Sequence, residues 1–416
     1  PEVPAAFGGG NIDITTRSIP NGPIFNIEIG SGLNSEGSNN GYTYRGGRDD
    51  GLGSDDGTRA MPIALREGLA SFRGNITPEN IQAMGQNDNP LSAAEASAIN
   101  RSLGLSLNRD VEIERKSLGP DGGLEVALGN RWFLDDDAWR IGAIGLLSYD
   151  NTWRNRERVE RGIADPLTLV ENKLRTTNQV SATAMLNLGI NYTDDHEIST
   201  SSFFLRNTED DASISTRTNN NFQREDGRQL RDYDIRYEQR ELRANQIRGH
   251  HTIGRDTRQA FKLLDRDWLD GLTLDWYTSD AEAKTNIPSE IKFSAEDTVD
   301  PATGELLGTA IRRSNSAAEY RFTDLSDQVR SSGWDLMKAY TFDNVDVEMS
   351  GGQDVSDKVR SYTQTQFGLG TTALAASPML RGTPGTVFTD ANVGAPLNGF
   401  RLSAGGIGTE SYLAAQ

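Results

Sequence analysis

The stretch Gly123-Leu124-Glu125-Val126-Ala127-Leu128-Gly129-Asn130-Arg131-Trp132-Phe133-Leu134 runs into Asp135-Asp136-Asp137 and then into a second apolar arm that ends at Trp153. In the first arm Leu124, Val126, Leu128, Trp132 and Leu134 share one face of an extended chain, opposite Glu125, Ala127, Gly129 and Arg131. In the return arm Ile141, Ala143, Gly145, Leu147, Tyr149 and Trp153 share a face, opposite Arg140, Ser148, Asp150 and Thr152. Side chains alternate across a strand with a period of two, so each arm has one apolar and one polar side. Each arm is also about ten residues or longer, the length of a tilted strand that crosses a bilayer, with aromatic residues near its ends. A soluble antiparallel sheet packed on one face shows the same alternation, and one hairpin does not separate the two.

Repetition separates them. Phe25, Ile27 and Ile29 alternate with Asn26, Glu28 and Gly30. Val180, Ala182, Ala184, Leu186, Leu188, Ile190 and Tyr192 form a nearly unbroken apolar face opposite Ser181, Thr183, Asn187, Gly189 and Asn191. Ile198–Asn207, Tyr233–Thr252, Leu272–Trp276, Trp334–Tyr340 and Val345–Met349 read as further strands. Short turns at 135–138, 193–195 and 343–344 alternate with long polar segments at roughly 33–121, 154–175, 208–231 and 286–330. Outer-membrane barrels have short turns on one side and long loops on the other. The connector Gly254–Gly271 breaks the rule, since a small helix is expected at Arg258–Leu269. Within 33–121 the sequence predicts two helices, Thr77–Met84 with Thr77 as N-cap and Leu91–Leu103.

Composition sets the bounds. The chain has 416 residues, 43 glycines and a net charge of −18, which disfavours nucleic acid and anionic membrane surfaces as partners. Its lack of cysteine excludes disulfides and thiolate metal sites. No run of about 18 apolar residues is present, so no transmembrane helix is expected, while a β-barrel stays allowed because only alternate residues face lipid. Both ends read as cuts, Pro1-Glu2-Val3-Pro4 at one and Tyr412-Leu413-Ala414-Ala415-Gln416 at the other, so the chain reads as an internal part of a longer protein.

Chemistry-bearing residues are few. Asp49, Asp50, Asp55 and Asp56, set among glycines, are candidates for a hard cation, but their spacing is not that of an EF-hand and a solvated turn is the simpler reading. His250 and His251 are strand neighbours, so they point to opposite faces and make a poor metal pair. The Gly8-Gly9-Gly10 turn lacks the helix and the Lys-Ser/Thr pair of a phosphate-binding loop. No catalytic arrangement, metal site or cofactor motif emerges, and an enzyme is not expected. Glu28, Glu125, Arg131, Ser181, Thr183 and Asn187 are expected to line a polar interior.

The phrase Phe7-Gly8-Gly9-Gly10-Asn11-Ile12-Asp13-Ile14-Thr15-Thr16-Arg17 resembles the last plug strand of TonB-dependent outer-membrane receptors. Gly41-Tyr42-Thr43-Tyr44 through Asp55-Asp56-Gly57-Thr58-Arg59-Ala60-Met61-Pro62 resembles the first long loop of one proteobacterial branch. Leu128–Phe133, Ser148–Arg156 and Asn245–His251 are similar to its early barrel strands, and the resemblance covers roughly residues 5–345. It implies a transmembrane antiparallel β-barrel of about 22 strands filled by a plug. Residues 1–21 would close the plug, and 22–416 would supply about nine barrel strands with long extracellular loops. It also implies energised uptake of a scarce small-molecule or oligomeric nutrient across the outer membrane of a Gram-negative bacterium. The partners implied are outer-membrane lipid and the TonB complex, the latter reached through an N-terminal box that this sequence does not contain. A soluble extracellular β-rich binding or adhesive protein and a passive porin are the alternatives.

Overall fold

Consecutive antiparallel pairing organises the computed structural model, which describes residues 17–33, 41–85, 89–135, 138–264, 266–342, 345–396 and 399–415. The strands are β1 (Ile24–Gly32), β2 (Gly41–Thr43), β3 (Glu114–Lys116), β4 (Asp121–Leu134), β5 (Trp139–Arg161), β6 (Val170–Tyr192), β7 (His196–Thr218), β8 (Arg228–Thr252), β9 (Leu272–Val299), β10 (Leu306–Ile311), β11 (Ser314–Phe342), β12 (Val345–Thr371) and β13 (Arg401–Ala415). Eleven of them form one sheet in the order β1-β4-β5-β6-β7-β8-β9-β11-β12-β13, with β10 pairing beside β9, while β2 and β3 pair separately. The chain is therefore a large antiparallel β-sheet with few helices. Among the described residues no helix is long and apolar enough to cross a membrane.

The strands run further than the sequence suggests. The polar segments 154–175, 208–231 and 286–330, expected as loops, are largely strand: β5 and β6 meet across 162–169, and β7 and β8 across 219–227. Charged side chains obscure the period-two signal there, but the backbone ladder continues in register regardless. The contrast in connector length is correspondingly weaker, because the 253–271 connector on the short-turn side is longer than either of those. It holds α4 (Arg255–Ala260) and two 3-10 turns at 262–264 and 267–269, in place of the single helix expected. β13 was not legible in its Gly/Ala-rich sequence, and it makes ten strands along the sheet where nine were expected. The turn residues 136–137 and 343–344 lie outside the described residues, as do 1–16, which hold most of the plug-like phrase.

One face carries two apolar zones. Near the short turns Leu124, Leu128, Trp132, Leu147, Leu186, Leu188, Ile190, Trp334, Leu336 and Met349 lie bare, Leu147 at 61% and Met349 at 62% exposed. On β6 this zone spans Tyr192 to about Ala182, since Val180 is buried beneath the first connector; at roughly 3.3 Å per residue and a 45° tilt it corresponds to about 23 Å of height. Above it a polar row crosses the same face, with Lys284 2.8 Å from Glu282 and Arg330 3.0 Å from Asp280. Higher still, Ala212, Tyr233, Ile235, Ile291, Phe293, Tyr320, Phe367, Leu369 and Leu402 are buried beneath a helical layer.

That layer comes from two distant connectors. The first supplies α1 (Ile63–Ser71), α2 (Pro78–Met84) and α3 (Ala93–Ser106), and the second supplies α5 (Pro384–Val387) and α6 (Asp390–Val393). Thr77 caps α2 with Pro78 in its first turn, and Ser92 and Glu95 form a reciprocal capping box on α3, so both expected helices are present. Leu65, Phe72, Ile76, Ile81 and Leu103 face the sheet. Buried Asn100 ties the first connector to the start of β13, donating to Ile76 O at 2.6 Å and Leu402 O at 3.0 Å and accepting from Leu402 N at 3.0 Å.

In the interior of the sheet, β9 reaches this layer through a bulge. Register is one-to-one from β4 to β8, but β9 inserts one residue around Ile287-Pro288 against both neighbours. Below the insertion the even residues Leu274 and Trp276 share the apolar face; above it the odd residues Ile291, Phe293 and Ala295 do. A bulge also accommodates a proline that cannot donate within an interior strand. Deleting Pro288 removes the extra residue, so the ladder continues in regular register and Ile291 and Phe293 still face the helical layer. We expect this deletion to destabilise the upper half less than Phe72→Ala, which costs about 3–5 kcal/mol, both read by denaturant unfolding of the layer.

Candidate functional site

The opposite face carries most of the polar side chains, although Leu146, Met185, Phe203, Leu205 and Leu242 also lie on it. Glu28 stands directly across from Glu125, which faces Ser148, which faces Thr183. Arg131 faces Gly142, Asn187 faces Ile144, and Ser181 faces Asp150, so all six residues expected to line an interior share this face. Ser181 donates to Asn207 Oδ1 at 3.2 Å, and Glu28 accepts from Asn26 at 3.0 Å. Asn187 is the one that meets another part of the chain. Its amide donates to Arg17 O at 3.2 Å and its oxygen accepts from Ser201 Oγ at 2.8 Å.

Residues 17–20 lie against the sheet here because two glycines make room. A Cβ on Gly142 would stand 2.6 Å from Ile19 Cα, and one on Gly189 would stand 2.7 Å from Ser18 Oγ. Neither separation is tolerable, so the sheet accepts this segment only where it lacks side chains. Gly142→Val should lift the segment from the sheet and speed trypsin cleavage after Arg17 several-fold, without changing the unfolding of the helical layer.

Toward the long-connector end this face becomes a wall of ion pairs. Arg217 reaches Asp232 at 2.9 Å, Arg236 and Arg240 share Glu238 at 2.7 and 2.6 Å, and Lys292 and Arg321 share Glu290 at 2.8 and 3.4 Å. Arg175 pairs with Asp211 through its Nε at 2.8 Å, and Arg360 with Asp327 at 2.5 Å. Partly exposed pairs like these contribute little singly to stability, so their main effect is on the surface presented to solvent.

The acidic turn 49–56 folds around an arginine. The Arg59 side chain is only 1% exposed and binds both Asp50 oxygens, at 2.6 and 2.7 Å. It also reaches Asp55 at 3.4 Å and Asp210 at 3.2 Å, donates from Nε to the Tyr44 hydroxyl at 2.8 Å, and lies 4.3 Å from the Tyr237 ring centre. Asp56 instead accepts from Arg48 N and from Thr58, which hold its carboxyl down at about 2. Asp49 pairs with exposed Arg48. Three of the four candidate cation ligands are thus paired with a guanidinium, two of them with Arg59, and among the described residues no group of three or more acidic or histidine side chains could hold a metal.

The node fastens the first connector to the sheet, and its loss should be costly. Arg59→Met leaves Asp50 and Asp210 buried without their partner and is expected to destabilise the layer by about 3–5 kcal/mol. Burial pushes the Asp210 carboxyl up to about 6, against the pull of Arg59 and Tyr44. A carboxyl raised in the folded state keeps a proton that the unfolded chain loses near pH 4. Stability should therefore fall between about pH 4 and 6, and Asp210→Asn should remove that slope in unfolding measured across the range.

The three histidines gather at the short-turn rim. Trp276 Nε1 donates to His251 Nε2 at 3.0 Å, the two Nδ1 atoms of His251 and His196 are 3.2 Å apart, and His196 Nε2 lies 2.9 Å from Thr257 Oγ1. Thr257 donates to Asp195 at 2.6 Å. An indole donor at one end and a carboxylate at the other leave one consistent arrangement of neutral imidazoles. The rings continue an aromatic ladder from Trp139 through Tyr192 to Trp276. His250 lies on the opposite face with Asp275, as the alternation requires.

Asn187 was legible from alternation alone. Arg59, Asp210 and Asn100 were not, since each acts by joining segments far apart in sequence. No family model, curated protein or solved structure matches the chain.

Proposed function

We propose that this chain forms part of the wall of an outer-membrane β-barrel and belongs to a TonB-dependent receptor that takes up a scarce nutrient. The observation that carries this reading is the bare apolar zone on one sheet face, backed on the other face by residues 17–20 seated on Gly142 and Gly189. Exposed apolar surface of this extent needs a cover, and lipid is the cover that fits a band about 23 Å high with an aromatic rim. The seated segment is then the end of a plug, and the ion-pair wall faces the external vestibule. The helical layer sits beyond the membrane on the outward face. Residues 1–16, which hold most of the plug-like phrase, would continue into the plug.

The test is membrane assembly of the full-length protein. Leu147→Arg and Leu186→Arg place a charge on the lipid face at a cost of about 2–4 kcal/mol each near the midplane, and should deplete the outer-membrane fraction. Thr183→Arg, on the polar face, should assemble normally. Recovery of the unmodified protein from the aqueous phase without detergent would overturn the proposal and favour a soluble adhesive or binding protein.

A further inference from the structure

In the ion-pair wall, Asp234 carries an enclosed carboxylate oxygen that accepts no hydrogen bond. A cavity of about 300 Å³ opens on this face between β6, β7, β8 and β9, at the small end of the range for small-molecule sites. Glu171, Asp232 and Asp234 line it opposite Lys173, Arg217 and Lys292, three carboxylates against three cations. Most of these are paired. Asp232 receives Ser294 Oγ at 2.6 Å and Arg217, and Lys292 turns to Glu290 at 2.8 Å although it stands directly across from Asp234. Asp234 is left with Lys173, whose Nζ is 3.7 Å from Oδ2, beyond hydrogen-bond distance. Its Oδ1 is enclosed and accepts no hydrogen bond. Ser213 and Ser215 form the floor on β7, both buried. Burial raises the Asp234 carboxyl above its ordinary value despite Lys292 and Lys173.

We propose that this cavity binds a zwitterion of the amino-acid or short-peptide class, its ammonium on Asp234 and its carboxylate on Lys173. The lining has no net charge, so a ligand with one net charge would leave an excess that a zwitterion does not. A buried carboxylate oxygen without a donor is costly, and an ammonium supplies up to three. Aromatic side chains on which a flat ligand could stack are few in the lining, where Tyr233 and Phe293 turn mainly into the core on the other face. The role of this ligand as imported nutrient rests on the receptor reading above; the binding itself does not.

Calorimetric titration of the full-length protein in detergent with trialanine tests it, with N-acetyl-trialanine, trialanine amide and maltotriose as comparisons. Trialanine should bind, and acetylating its amine should weaken binding roughly tenfold or more, the scale of a lost charge-assisted hydrogen bond. Asp234→Asn should do the same to trialanine. Lys173→Met should weaken trialanine but leave trialanine amide unchanged. Equal binding of the acetylated peptide, no binding of trialanine, or maltotriose binding that competes with trialanine would overturn the proposal; the ligand comparisons need no variant to fold. A protein that proves soluble without detergent would remove the receptor reading while leaving the titration valid.

Discussion

The register of the antiparallel ladder is the constraint on which everything else depends. From β4 to β8 every residue faces one partner, with no slip over strands of up to 25 residues. A single slip would exchange the faces, because side chains alternate with a period of two. Uninterrupted pairing is what allows one face to be apolar at the bottom and again at the top while the other carries most of the polar and charged side chains. Local sequence preference contributes less than this. Arg228–Thr252 is dense in charge and still forms β8, since its backbone is paired on both sides by β7 and β9.

The same face meets two different covers, and the polar row between them marks the change. Beneath the helical layer Phe293, Phe388 and Phe400 stack at 5.1 Å spacings, a packed interior of ordinary soluble type. Below the row, side chains of similar chemistry lie bare. Arg206 and Arg243 flank the Phe204 ring at 5.8 and 5.6 Å at the boundary, an arrangement in which long basic side chains keep their charge in the polar zone while their stems cover apolar surface. A sandwich protein covers its whole inner face. This sheet covers only the upper part from within its own chain.

How much of this was legible follows from the range of each interaction. The lower strands were readable because alternation is local: Val180 through Tyr192 announce a face in thirteen residues. The helices α2 and α3 were readable because Thr77, Ser92 and Glu95 signal their starts within one turn. The strand extensions were missed because polar residues occupy the ion-pair wall, so hydropathy shows no strand where hydrogen bonding makes one. The β9 extension was doubly hidden, since the residue inserted at Ile287-Pro288 reverses the parity by which the strand would have been recognised. Asp50 and Asp55, weighed as cation ligands against a solvated turn, instead hold the guanidinium of Arg59 from the same turn, which Asp210 on β7, 151 residues away, also binds.

That substitution of a guanidinium for a metal has a consequence for how the first connector behaves. Hydrated metals exchange, and a turn built on one would order and disorder with its supply. An arginine cannot leave, and it is not deprotonated at any physiological pH. Arg59 therefore ties the connector to β7 permanently, and Asn100 ties α3 to the start of β13 by hydrogen bonds to both partners' backbone. The two ties lie at opposite ends of the helical layer's attachment to the sheet. With both made, the layer cannot swing as a lid; it is a fixed wall.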